Sequence, residues 1–193
     1  MLGTLRADLK QLRPLEMQRA GGLPLMLFLA LGGAYLTALF AAIRFHVGFT
    51  PVPITGQVFA VLLCGALLGG RYGAISQVFY VALAAFGVPW LATTAGVAAL
   101  TGVTSGYLYG FIIAAGCLGV ATRRLAWART FHGQAYLMFA AVGIIYLCGA
   151  TGLMIALKCG PVEALAAGVL PFAAFDFVKV LLAATITSRL LRG

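Results

Sequence analysis

Acid is nearly absent from this chain. Asp8, Glu16, Glu163 and Asp176 are its four carboxylates in 193 residues, and charges of both signs make up only 9%. A soluble domain carries about 25% charged residues, so a water-soluble globular protein is excluded and an integral membrane protein is expected. Histidine is also scarce. His46 and His132 flank different apolar runs and fall on opposite sides of the membrane, so they cannot work together. No Gly-x-x-x-x-Gly-Lys-Ser/Thr segment occurs, which removes ATP hydrolysis by a phosphate-cradling loop. The four cysteines show no metal-ligand spacing. Cys64, Cys117 and Cys148 sit inside apolar segments and Cys159 just beyond one, so they read as small hydrophobes, neither bridged nor metallated.

A membrane enzyme needs a nucleophile with a base, or a metal. Gly102-Val103-Thr104-Ser105-Gly106 is superficially similar to the nucleophile segment of intramembrane serine proteases. It lacks the glycine two residues before Ser105, and no helical histidine is available as its partner. The expectation is no catalysis and no cofactor.

What the chain has is hydrophobicity, 63% of residues with a mean hydropathy of +1.06. Six membrane-spanning helices are expected, at about 22–43, 57–69, 73–86, 101–121, 134–157 and within 164–188. Residues 72–122 carry no charge, yet one helix of that length does not fit a bilayer about 30 Å thick. The break falls at Gly87-Val88-Pro89-Trp90. Pro51 and Pro53 push their predecessors toward extended geometry and predict a loop or partly re-entrant segment. Residues 1–20 form a separate basic segment, with leucines spaced for an amphipathic helix on the membrane surface or else a frayed tail. Residues 21–193 form one six-helix transmembrane domain. The N-terminus is not expected to be a cleavable signal, because the first apolar run comes late and is too long.

Small residues recur at four-residue intervals. Ala30, Ala34, Ala38 and Ala42 make one stripe on the first helix, and Gly65, Gly69, Gly73 and Gly102, Gly106, Gly110 make two more. Such stripes let helices approach closely in lipid. The alanine stripe serves packing within the chain or docking to another protein, and its spacing does not separate the two.

The net charge of +9 is distributed by side. With six spans, ten Lys and Arg share the side of the termini, while Arg44 and Lys158 lie opposite and Lys179 lies within a helix. That asymmetry places both termini in the cytoplasm. The basic residues form no aromatic-interleaved patch, so nucleic acid is not an expected partner and the lipid bilayer is.

Asp176 and Lys179 then stand out. Each buried charge costs roughly 2.5–3.5 kcal/mol on insertion-derived scales. Three residues apart, they share a helix face. The pair either fixes helix packing or meets a polar guest. Gln57, Gln77, Tyr80, Trp90, Thr93 and Tyr107 point to the same outer half and complete a small apolar pocket with a few polar contacts.

Pro51-Val52-Pro53-Ile54-Thr55-Gly56-Gln57 resembles the Pro-Val-Pro-Ile-Thr-x-Gln signature of the BioY family, the biotin-binding S components of energy-coupling factor transporters. Gly65-Ala66-Leu67-Leu68-Gly69, Gly87-Val88-Pro89, Gly106-Tyr107-Leu108 and Pro171-Phe172 with Asp176 and Lys179 match it too. Val103 replaces a usual proline and Trp90 stands where Val-Phe is more common. The resemblance implies an S-component-type bundle, biotin uptake, and partners comprising a coupling membrane subunit and ATP-binding subunits. It implies ligand contacts from Asp176 and Lys179, and a coupling-subunit contact from Ala30, Ala34 and Ala38. Biotin's ureido ring suits a carboxylate beside an ammonium. Its flat bicyclic body suits Trp90 and Tyr107. Other vitamins such as thiamine or riboflavin, or a non-transporting membrane scaffold, are the alternatives.

Overall fold

In lipid a chain satisfies its backbone only by closing hydrogen bonds within each segment or within the protein. The computed structural model, which describes residues 22–46, 48, 50–87, 96 and 98–192, does this with helices. The basic segment 1–20, Trp90 and Thr93 lie outside the described residues.

Helix α1 spans Leu23–Ala42, with proline near its N-terminus where no amide donor is needed. A two-residue strand β1 (Arg44–Phe45) follows and pairs antiparallel with β2 (Ile54–Thr55), Arg44 opposite Thr55. The proline-containing loop is therefore a short strap. Helix α2 covers Gln57–Ala85, α3 is a single turn at Ala98–Thr101, and α4 covers Ser105–Arg124. A 3-10 turn (Ala126–Arg129) leads to α5 (Phe131–Leu157). Thr130 caps α5, its hydroxyl accepting from the Gly133 amide at 3.0 Å. Lys158, with φ 52°, ends it in the left-handed conformation. Then come α6 (Pro161–Gly168) and α7 (Leu170–Arg192).

Among the described residues five helices are long and apolar enough to cross a membrane: α1, α2, α4, α5 and α7. The second is not straight. Gly69 has φ 77° and ψ 174°, a region open essentially to glycine alone. Beyond it the chain turns back. A Cβ on Gly73 would lie 2.9 Å from the Gly65 Cα, and the Gln57 amide donates to the Tyr80 hydroxyl. Along a straight helix those two side chains would stand about 34 Å apart. The expected second and third helices are thus two antiparallel arms of α2, and the turn is Gly69 itself, with Arg71 already in the second arm.

These arms are the hub. Helices α1, α4 and α7 all pack on α2, and α5 fills the space between α4 and α7. The glycine stripes sit at the seams. Gly65 abuts Ala115, Gly106 abuts Gly152, and Gly110 abuts Ile145. Gly102 meets only its own preceding turn, at Ala98. Helix α4 starts four residues and ends three residues later than expected, because residues 98–101 form a turn of their own.

The alanine stripe faces inward. Ala30 and Ala34 are 0% exposed and Ala38 1%, on the face where Gly33 abuts Cys64 and Thr37 bonds Gln77. In this state the stripe therefore packs within the chain, against α2. The outward face of α1 carries Phe28, Leu31, Tyr35 and Leu39 instead.

Candidate functional site

Three attachments fasten the strap that holds Pro51 and Pro53. Thr50 donates its hydroxyl to the Ala167 carbonyl at 2.6 Å, reaching α6. The Gly56 amide is shared between the carbonyls of Phe40 and Ile43, at 3.0 and 3.1 Å, which satisfies the open end of α1. Lys179 on α7 donates to the Thr55 carbonyl at 2.7 Å. Held in this way, the strap covers a cavity of about 620 Å³, counted out to its open mouth.

The cavity wall is mostly apolar. Val52 and Pro53 come from the strap, Val58 from α2, Leu108 and Phe111 from α4, Ile145 from α5 and Phe172 from α7. The Tyr107 and Phe172 rings lie 6.4 Å apart and tilted by 57°, a favourable aromatic geometry. The Tyr107 hydroxyl donates to the Gly168 carbonyl at 2.6 Å, pinning α4 to the junction of α6 and α7. A Cβ at Gly149 would strike this ring, so the absence of a side chain there makes room for Tyr107.

One continuous polar chain crosses the wall. The Tyr146 hydroxyl donates to Asp176 Oδ2 at 2.7 Å, and Lys179 Nζ donates to Asp176 Oδ1 at 2.6 Å. Beyond the Lys179–Thr55 bond, the Thr55 hydroxyl donates to Gln57 Oε1 at 2.7 Å, and the Gln57 amide reaches Tyr80. Asp176 is only 3% exposed. A buried carboxylate of this kind persists because an ammonium and a hydroxyl both bond it. Both members of the ion pair line the cavity, so they are not sealed against each other inside a helix seam. Lys179 keeps a third N–H, and Asp176 keeps acceptor capacity. Neither His nor Cys lines the cavity. The arrangement can hold a ligand with both donors and acceptors.

Asp176, Lys179, Gln57, Tyr80 and Tyr107 are thus brought together. Gln77 is not. It is fully buried between α1 and α2, its amide donating to Ser76 Oγ at 3.0 Å and sharing a contact with Thr37. Sequence reasoning missed Thr55, Tyr146, Thr104 and Phe172. Only Tyr146 carried a usable signal, as a hydroxyl midway along an apolar helix that must find a partner.

Membrane-length helices around an apolar cleft with a buried ion pair on its wall define a multi-pass membrane protein that binds a small molecule. Comparison with known proteins narrows this. A family model described as the BioY family matches residues 15–193. The chain belongs to the BioY family. It is 38% identical over 141 residues to the biotin transporter BioY of Thermotoga maritima, covering 72% of this chain and 81% of that one. It is 33% identical over 177 residues to the biotin transporter BioY of Rhizobium etli, covering 82% and 92%. Among solved structures, the S-component for biotin from an ECF-type ABC transporter superposes with a TM-score of 0.80 at 25% identity, covering 87% of this chain and 91% of that one.

Proposed function

We propose that this chain captures biotin and carries it across the membrane as the S component of an energy-coupling factor transporter. The observation that carries the proposal is the Asp176–Lys179 pair on the wall of an open apolar cavity, in a chain whose relatives are biotin transporters. Asp176 accepts from the ureido N–H groups, Lys179 donates to the ureido carbonyl, and the bicyclic body lies against Tyr107, Phe111 and Phe172. Trp90 and Thr93 belong to the outer loop of this same reading. Gln77 serves the bundle instead, by holding α1 against α2.

Six spans support the transport reading better than five. The arms of α2, residues 57–68 and 70–85, are about 18 and 24 Å long. The strap extends the shorter arm, and extended backbone is tolerated at membrane depth where it lines a cavity. Six spans place both termini on one side, and the excess of Lys and Arg there makes that side cytoplasmic. The cavity then opens outward. With no nucleotide loop of its own, the chain draws energy from a coupling membrane subunit and ATP-binding subunits.

Equilibrium binding of radiolabelled biotin to the purified chain tests the reading. A dissociation constant below about 1 μM, near −8 kcal/mol, is expected. Displacement by unlabelled biotin but not by thiamine or riboflavin supports it. Preference for another vitamin moves the assignment within S components, and no stabilising ligand at all ends it in favour of a scaffold.

A further inference from the structure

The end of the bundle away from the cavity carries a second, differently built surface. Where α2 turns at Gly69, a recess of about 240 Å³ is lined by Gly69, Gly70, Arg71, Arg123 and Arg124. The Arg123 guanidinium donates to the Leu68 carbonyl at 3.1 Å, while its Nε is buried without a partner. Arg71 is steadied over the Tyr72 ring, 5.6 Å from its centre. Three guanidinium groups therefore converge, and neither of the two carboxylates among the described residues, Glu163 and Asp176, belongs to this recess. Immediately beside it runs an apolar groove of about 540 Å³ along the outer face of α4, past Ile112, Ile113, Gly116 and Cys117. The recess and the groove meet, since Val120 and Arg124 line both.

The geometry points to a binding site for an anionic phospholipid: the phosphate-bearing headgroup lies among Arg71, Arg123 and Arg124, and one acyl chain lies in the groove on α4. Charge complementarity favours this occupant over a zwitterionic lipid or a hydrophobic helix. A second transmembrane helix would fill the groove and leave three arginines uncompensated. Arginine forks suit phosphate oxygens, and basic pockets between helices at a membrane face are suited to anionic headgroups. The inference does not depend on what the cavity binds.

The test uses the full chain in lipid nanodiscs and in detergent. Melting is followed with phosphatidylglycerol, with phosphatidylcholine of equal chain length, and with inorganic phosphate, and retained lipid is counted by native mass spectrometry. Phosphatidylglycerol is expected to be retained about fivefold or more over phosphatidylcholine, the scale of one or two paired cations. Arg71→Gln with Arg124→Gln should abolish that preference. Cys117→Trp, which fills the groove, should lower retention of both lipids. Melting in phosphatidylcholine confirms that the variants fold. Equal retention of the two lipids, or an undiminished preference in the arginine variant, overturns the site. Stabilisation by inorganic phosphate alone makes it a free-anion site and overturns the lipid. Unchanged retention in Cys117→Trp overturns the acyl-chain half, and exclusion of lipid by a bound partner helix gives the face to a protein.

Discussion

The ammonium of Lys179 on α7 binds the backbone carbonyl of Thr55, 124 residues earlier in the chain, at 2.7 Å. The same nitrogen holds Asp176 at 2.6 Å, so one cation joins the strap over the cavity to the carboxylate on its wall. This double use explains why the pair is worth its burial, and it sets what substitutions do.

Asp176→Asn leaves the ammonium of Lys179 without its counter-charge and removes the acceptor for ureido N–H groups. Biotin affinity should fall about ten- to a hundredfold, the scale of one charge-assisted hydrogen bond. Radiolabelled biotin titration reads this. Melting adds a second check: the double variant Asp176→Asn with Lys179→Met should be more stable than Asp176→Asn alone, since it strands no charge.

Tyr146→Phe deletes one bond to Asp176 and keeps the ring. A loss of about 1.5–3 kcal/mol is expected, expressed as weaker biotin binding with little change in secondary structure. Titration beside circular dichroism separates the two effects.

Biotin methyl ester distinguishes which end of the ligand meets the ion pair. If the ureido ring lies against Asp176 and Lys179, the ester should compete with biotin to within about tenfold, a single hydrogen bond's worth. Competition lost altogether would mean that Lys179 reads the carboxylate.

Gly69→Ala forces a residue with a Cβ into a backbone region that costs about 1–3 kcal/mol, and drives that Cβ into the Arg123 guanidinium. The apparent melting temperature should drop by several degrees, about 2–4 °C per kcal/mol in a chain of this size. Alanine at Gly87, which also has positive φ but open space around its Cβ, should cost less.

Gln77→Leu separates stability from recognition. It strips Thr37 and Ser76 of a buried partner, so melting should fall by the scale of about 1–3 kcal/mol. Biotin affinity should stay close to that of the parent chain, because the cavity wall is untouched.

The difference between Gln77 and Gln57 shows where a sequence runs out. Both are glutamines in apolar helices, and both need partners. Only the turn at Gly69, which folds the second arm back on the first, decides that Gln57 faces the cavity while Gln77 faces α1. Asp176 and Lys179 were legible because their spacing alone puts them on one helix face. Thr55 was not, since its principal contribution is a backbone carbonyl, which every residue carries. The alanine stripe announced close packing correctly, but periodicity on one helix cannot say which neighbour lies on it. The same stripe would look identical facing lipid, a partner or α2. Helix positions followed from apolar run lengths. The separate turns α3 and α6 did not, because each is shorter than the window over which hydropathy is informative.

The attachment at Thr55 is unevenly exposed to mutation. No substitution at position 55, save one that moves the chain itself, can take its carbonyl away, so that terminus of the link is robust to sequence drift. The other terminus rests on a single flexible side chain. Damage to the cover over the cavity will therefore come through Lys179 far more readily than through the residue it grips.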